Sequence, residues 1–240
     1  KLKPKYLFIS ADGPRKNNIN DIASCKKVRD LVDKIHWCFN LKKKFNKDNL
    51  SLKNNVIQSI NWFFNNVDQG IILEDDCLPS LNFFDFCKKL LKRYKYEDRI
   101  MQINGSNGGL NYKDTNKASY FFSKINTTWG WATWKRAWKK FDENFKDYKL
   151  IDEKNLIQNY YEDLEISNWM KIYFEKSQKN VDNIWSTNWA YTILKNNALC
   201  VSPIKNLVRN NGFDKSATSN NSERFLPYKK KTNRNFIIKK

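Results

Sequence analysis

No stretch of this chain is both long and apolar enough to cross a bilayer, because none of its hydrophobic runs approaches the roughly 20 residues that a spanning helix requires. The opening Lys1 to Ser10 is too charged, and its apolar part too short, for a secretory signal, so the expected setting is the cytoplasm. Cysteine pairs at metal-binding or redox spacing are also missing. The five cysteines, Cys25, Cys38, Cys77, Cys87 and Cys200, are odd in number and none stands in a C-x-x-C pair. That pattern argues against a disulfide framework and a zinc site, and for reduced thiols in core positions. There is one histidine, His36, within a segment read as a strand, where a structural role is expected. Acidic residues are few beside basic ones, 25 against 44, which leaves a formal net charge of +19. A field of that sign attracts polyanions, whether nucleic acid, anionic headgroups or phosphorylated substrates. Nucleic acid is disfavoured, since the positive residues are dispersed and no R-G-F-type strand, zinc pattern or basic helix stands out. Charge is concentrated only at Lys42-Lys43-Lys44 and in the stretch from Lys229 to Lys240.

Hydrophobic residues make up 40% and aromatic residues 15% of the 240 positions, enough for a sizeable core and outside the range of disordered chains. The length suits one α/β domain with an appended helical part, spanning residues 1–219, followed by a basic, loosely ordered tail over 220–240. No internal repeat divides it.

Apolar runs and helical periodicity lay out the elements. Tyr6 to Ser10 reads as a strand stopped by the turn residues Ala11-Asp12-Gly13-Pro14. Ile19 to Val32 has helical spacing, and Ile35 to Phe39 reads as the next strand, giving a β-α-β start. Leu52 to Val67 is amphipathic, with Val56, Ile57, Ile60, Phe63 and Phe64 recurring every three or four residues. Gly70 to Leu73 reads as a strand covered on both faces and runs directly into Glu74-Asp75-Asp76. Pro79 and Ser80 then open a helix through Leu91, and Arg99 to Ile103 forms another strand. Strands follow at Ser119 to Ser123 and Leu199 to Ser202, with helices over 151–178 and Val181 to Leu194. Alternation of this kind predicts an open, mostly parallel sheet flanked by helices, with a more helical C-terminal part.

Three consecutive carboxylates at a strand end are electrostatically awkward, since like charges about 5 Å apart repel by roughly 3 kcal/mol at an effective dielectric near 20. Ligands of open α/β sheets bind beyond the carboxyl ends of strands, so a divalent cation bridging this cluster to a diphosphate would relieve the repulsion. It would also stabilise charge on a departing nucleoside diphosphate. The plainer account is a solvated acidic loop.

Ile71 to Ser80, then Phe83-Phe84, Tyr94 and Asp98-Arg99-Ile100, resemble the core of GT-A-fold glycosyltransferases related to N-acetylglucosaminyltransferase I and its bacterial relatives. The Trp-rich stretch Thr128 to Trp138, with Asn206-Leu207-Val208, Gly212-Phe213 and Ala217-Thr218, is similar to later segments of those enzymes. The resemblance covers about residues 6–219. It implies a GT-A-like, Rossmann-like fold and transfer of a sugar from a nucleotide-diphosphate donor, expected to be UDP-linked, to a glycan or lipid-linked acceptor. Mn2+ or Mg2+ would be held by Asp76, while Glu74 and Asp75 would face sugar and ribose hydroxyls. Asp12 matches a base-contacting position, although a turn-forming aspartate before Gly13 is an equal account. Lys53 matches a basic position near the donor, against the commoner explanation of an exposed lysine.

The tryptophans divide. Trp134 and Trp138, four apart on an expected helix, suggest packing, whereas Trp129 and Trp131 flanking Gly130 suggest a sugar or acceptor pocket. Inversion at the anomeric carbon needs a carboxylate base. Relatives carry an acid in a W-D-x-x-W-like stretch, but this chain reads Trp185-Ser186-Thr187-Asn188-Trp189, which makes Asp182 the nearest substitute and Glu162, Asp163 and Glu165 further candidates. Ser219 stands where relatives often place a metal-binding histidine. These departures leave open a retaining mechanism, altered metal dependence or lost activity, and with them a sugar-nucleotide or glycan binding module. The family's first strand and nucleotide-gripping loop have no counterpart before Lys5, so that strand is expected to be lacking. The basic tail is expected to rest on anionic membrane.

Overall fold

A computed structural model describes residues 2, 4–108, 118–181 and 184–212. The described residues fall into two compact units, one drawn from Lys1–Asn66 with Asn180–Trp185 and the other from Val67–Lys179 with Ser186–Lys240. Among them, no helix is long and apolar enough to cross a membrane.

The first unit is a β-α-β-α arrangement. Strand β1 (Tyr6–Ala11) leads through helix α1 (Ile19–Asp33) to strand β2 (Asn40–Phe45), and helix α2 (Leu52–Asn66) follows. β1 and β2 pair in parallel, from Tyr6 opposite Asn40 to Ala11 opposite Phe45. Asn18 caps α1 by accepting from Asp21 N at 3.1 Å, satisfying a donor that the helix leaves open. The expected helical periodicity of α2 is realised, with Ile57, Ile60 and Phe64 buried, and Phe8 of β1 meets Trp62 and Phe63 edge-on at 5.3 and 5.1 Å.

The second strand departs from expectation. Ile35 to Phe39 is irregular, with Cys38 buried and His36, Trp37 and Phe39 exposed, so His36 is a loop residue rather than a strand residue. The strand begins at Asn40 and runs through the three lysines, each of which finds a partner: Lys42 donates to Asn66 Oδ1, Lys43 pairs with Asp33 at 2.6 Å, and Lys44 donates to Gln58 O. Strand pairing uses backbone groups, and long lysine stems carry their charge out to solvent from an otherwise regular strand.

In the second unit, strand β3 (Gln69–Ile72) gives way to the acidic turn and then to the short strand β4 (Cys77–Pro79). Helix α3 (Leu81–Arg93) comes next, with Ser80 rather than Pro79 at its N-cap, and it buries the stripe Phe83, Phe86, Cys87, Leu90 and Leu91. Strands β5 (Ile100–Asn104), β6 (Tyr120–Ser123) and β7 (Trp131–Trp134) follow, then helices α4 (Lys135–Trp138), α5 (Tyr148–Glu153), α6 (Leu156–Tyr161), α7 (Leu164–Gln178) and α8 (Trp185–Lys195), and finally strands β8 (Leu199–Pro203) and β9 (Val208–Asn210).

The five-stranded sheet has the order β3-β7-β5-β8-β6, with β4 and β9 forming a separate ribbon. The fold is thus mixed α/β. Strands β3, β5 and β8 share one direction, while β7 and β6 run against them, so the sheet is mixed and only β5 and β8 are direct parallel neighbours. β3 lies at the edge and is half-buried, not covered on both faces as its apolar run suggested, whereas the central strands β5 and β7 are buried throughout. The cysteines are all free thiols, four of them buried and Cys25 partly so.

The tryptophans fill this core. Trp131, Trp138 and Trp189 lie with ring centroids 5.1–6.3 Å apart, and Phe141 stacks on Trp138 at 4.5 Å. Trp134 is buried as expected, but from the last position of β7 rather than from a helix, with its Nε1 donating to Leu91 O at 3.1 Å. Trp131 is fully buried, a packing position rather than a pocket wall. Gly130 has a φ of +67°, and a Cβ there would stand 2.7 Å from Val208 Cγ2. Gly130→Ala is therefore expected to lower the unfolding free energy by about 2–5 kcal/mol, combining left-handed backbone strain with overpacking, as read by urea denaturation.

Candidate active site

Because β3, β5 and β8 share a direction, their carboxyl ends meet at one rim of the sheet. Glu74-Asp75-Asp76 follows β3, Gly105-Ser106-Asn107 follows β5, and Ile204 to Asn206 follows β8. Backbone bonds stitch these loops together: Gly105 N donates to Gly130 O at 2.8 Å, Leu207 N to Gly105 O at 2.9 Å, and Ser80 N to Leu207 O at 2.9 Å. Ser106 Oγ and Asn107 N both donate to Asn206 Oδ1, at 3.1 and 2.9 Å.

The three acids occupy different environments. Asp75 is exposed, and Glu74 and Asp76 are partly buried. Burial, then the charges of Asp76 and Asp75, push the Glu74 carboxyl up to about 7. Asp76 Oδ2 accepts from Asn210 Nδ2 at 3.0 Å, its Oδ1 lies 3.5 Å from Cys77 Sγ, and its backbone oxygen accepts from Asn211 N. Burial holds the Cys77 thiol up at about 12, so it stays protonated at neutral pH. No cation neutralises this cluster from within the protein among the described ion pairs. Among the described residues, no group of three or more His, Cys, Asp or Glu side chains is gathered to hold a metal ion. Carboxylate oxygens are the hard donors that Mg2+ and Mn2+ take, and Asp76, fixed by Asn210, is the residue of this turn that could hold such an ion together with a ligand's own oxygens.

Beneath the rim lies a buried amide network. Gln102 Nε2 donates to Asn104 Oδ1 and to Thr127 O, Gln102 Oε1 accepts from Trp189 Nε1, and Asn104 Nδ2 donates to Ser202 Oγ and Ile125 O. Together with Thr127 N on Asn104 Oδ1, these bonds strap the segment carrying Trp129 and Gly130 onto β5. Trp129 itself is partly buried against the core. Neither Gln102 nor Asn104 was singled out from sequence; polar residues inside an apolar strand were the available signal, since such groups are buried only when hydrogen-bonded.

The remaining expected site residues belong to other elements of the chain. Asp12 belongs to the first unit, where its carboxylate accepts from Gly13 N, Leu50 N, Asn46 Nδ2 and Asn49 Nδ2 at 2.9–3.1 Å. That is the loop-organising role, with its acceptor capacity largely used by the protein. Lys53, on the first turn of α2, is only 7% exposed rather than a solvated surface lysine. Glu162 pairs with Lys124 at 2.7 Å, Asp163 caps α7 through Ile166 N at 2.8 Å, and Glu165 is an exposed first-turn residue of that helix. Asn188, within the Trp185 to Trp189 stretch, is buried and donates to Glu143 O at 2.7 Å. Asp182, Ser219 and the basic tail lie outside the described residues.

No family model matches this chain, and no curated protein matches it.

Glu74 gives the acidic turn a measurable signature. Its folded-state pKa stands above the unfolded value of 4.5, so the native state holds this proton more tightly than the unfolded chain does. The stabilisation is complete below about pH 4.5 and is lost as the pH rises through about 7, on the order of 3 kcal/mol in all. In chelator-containing buffer, unfolding free energies across pH 4.5–7.5 should show that decline in the native sequence and lack it in Glu74→Gln.

Proposed function

We propose that this chain is a GT-A-like glycosyltransferase that uses a divalent cation, Mn2+ or Mg2+, to move a sugar from a nucleotide-diphosphate donor, expected to be UDP-linked, to a glycan or lipid-linked acceptor. The observation that carries this reading is the acidic turn at the carboxyl end of β3, where Glu74, Asp75 and Asp76 follow one another and none has a cationic partner among the described ion pairs. A sheet rim where several strand ends converge is where α/β folds bind nucleotides. When bound, the cation neutralises the diphosphate and stabilises the departing nucleoside diphosphate as a Lewis acid. Asp76 holds it, Glu74 and Asp75 orient hydroxyls of the sugar and ribose, and Trp129 and Gly130 form the adjoining wall. The resemblance of residues 71–100 and 128–138 to glycosyltransferase segments supports the same reading. A cytoplasmic setting, with basic residues 229–240 against anionic membrane, belongs to this proposal.

A second reading, a binding module that holds a sugar nucleotide or glycan without turnover, is favoured by the engagement of two candidate bases: Glu162 is paired and Asp163 is used as a helix cap. Donor turnover monitored by release of nucleoside diphosphate separates the two.

A transferase and a module that holds a sugar nucleotide both predict donor binding, whereas a module for glycan alone does not. UDP with Mn2+ at 100 times the dissociation constant should stabilise the protein by about 2.7 kcal/mol, seen as a raised melting temperature. Chelator or Asp76→Ala should remove the effect, and an oligonucleotide at the same concentration should give none. Stabilisation that persists in Asp76→Ala sinks the assignment of the acidic turn.

A further inference from the structure

The ribbon of β4 and β9 brings to the acidic turn a residue that sequence reasoning passed over. Asn210 ends β9 opposite Cys77 and is only 5% exposed. Its Nδ2 donates to Asp76 Oδ2 at 3.0 Å across 134 positions of chain, and its Oδ1 accepts from Gly212 N at 2.5 Å. Next to it, Asn211 N donates to Asp76 O at 2.9 Å, so Asp76 is held at both side chain and backbone. At position 212 a Cβ would stand 2.4 Å from Asp76 Oδ2, and only glycine leaves the carboxylate where Asn210 meets it.

We infer that Asn210 is a positioning residue for the cation site: resting on the reading of Asp76 as the cation ligand, it fixes the Asp76 rotamer by binding Oδ2, so that Oδ1, which meets the weak thiol donor of Cys77 at 3.5 Å, is the oxygen turned to the cation. Turn closure alone needs only the Asn210 acceptor on Gly212 N, yet the donor end is directed at the carboxylate. An amide does this without charge. A lysine or arginine at the same place would make a stronger bond to Asp76 but would cancel the negative potential that draws a cation. Partners of this kind, which orient a metal-binding carboxylate without touching the metal, commonly change metal affinity 10–100-fold.

Mn2+ titration of the full chain, with free Mn2+ read by electron paramagnetic resonance in the absence of nucleotide and with saturating UDP, tests the inference. Asn210→Ala should bind Mn2+ about 10–100-fold more weakly while remaining folded in chelator, with its melting temperature reduced by only a few degrees. On an Asp76→Asn background the same substitution should weaken binding no further, because Asn210 acts through Asp76. Affinity within twofold of the native sequence overturns the inference, and so does a further tenfold loss on the Asp76→Asn background. Should Asn210→Ala fail to fold, Asn210→Ser, which keeps a shorter polar side chain, is judged by the same limits. Mn2+ binding that Asp76→Asn abolishes and Asn210→Ala spares removes the positioning role alone. A native protein that binds no Mn2+ under either condition removes the cation-site reading and this inference together.

Discussion

Repulsion among Glu74, Asp75 and Asp76 is the constraint around which the rim of the second unit is arranged. Each carboxylate meets it differently. Asp75 turns to solvent, where water screens it; Glu74 is drawn partly inward and keeps its proton to higher pH; Asp76 is tied to Asn210 and Asn211. Among the described ion pairs, none of these arrangements brings in a positive charge. In a chain with a formal net charge of +19 that is informative, since lysine and arginine are plentiful at the surface and yet pair with acids elsewhere. Among the described residues no paired cation offsets the negative charge at this rim, which is why a dication with an anionic ligand is the proposed complement.

Close backbone approach makes the arrangement rigid. Gly105, Gly130 and Leu207 exchange main-chain hydrogen bonds, with Val208 packed against Gly130, and below them Gln102 and Asn104 convert two positions of a buried strand into anchors for the segment ahead of β7. A buried amide is tolerated only where its donors and acceptors are used, and here they reach Trp189, Ser202, Ile125 and Thr127. The indole cluster of Trp131, Trp138 and Trp189 then supplies the apolar mass on which these polar bonds rest. Aromatic residues that read from sequence as a sugar-stacking surface are, in the case of Trp131, part of the core.

Legibility followed the length and period of each element. Helices α2 and α3 announce themselves because a 3.6-residue repeat of apolar side chains matches one buried face, and β1, β5 and β8 because short apolar runs stop at turn residues. β2 was displaced because its lysines look solvated while their backbone pairs with β1. β4 and β9 are three residues each, too short to carry a period, and exist only through pairing with each other. Of the candidate site, Glu74, Asp75 and Asp76 were visible as charges at a strand end and Gly212 only within the closing segment of the resemblance, whereas Asn210 was not singled out.

The amino-acid sequence by itself determined the mixed α/β class, the placement of three acids after an apolar strand and the reduced, buried state of most cysteines, because these depend on local periodicity and residue chemistry. Tertiary structure decided which strands run antiparallel, that Trp131 is interior, that the Asp12 carboxylate is engaged by Asn46, Asn49 and Leu50, and that Asn210 holds Asp76. Those features arise from contacts between segments tens to more than a hundred positions apart, and such contacts are set by how layers pack rather than by any stretch of chain read alone.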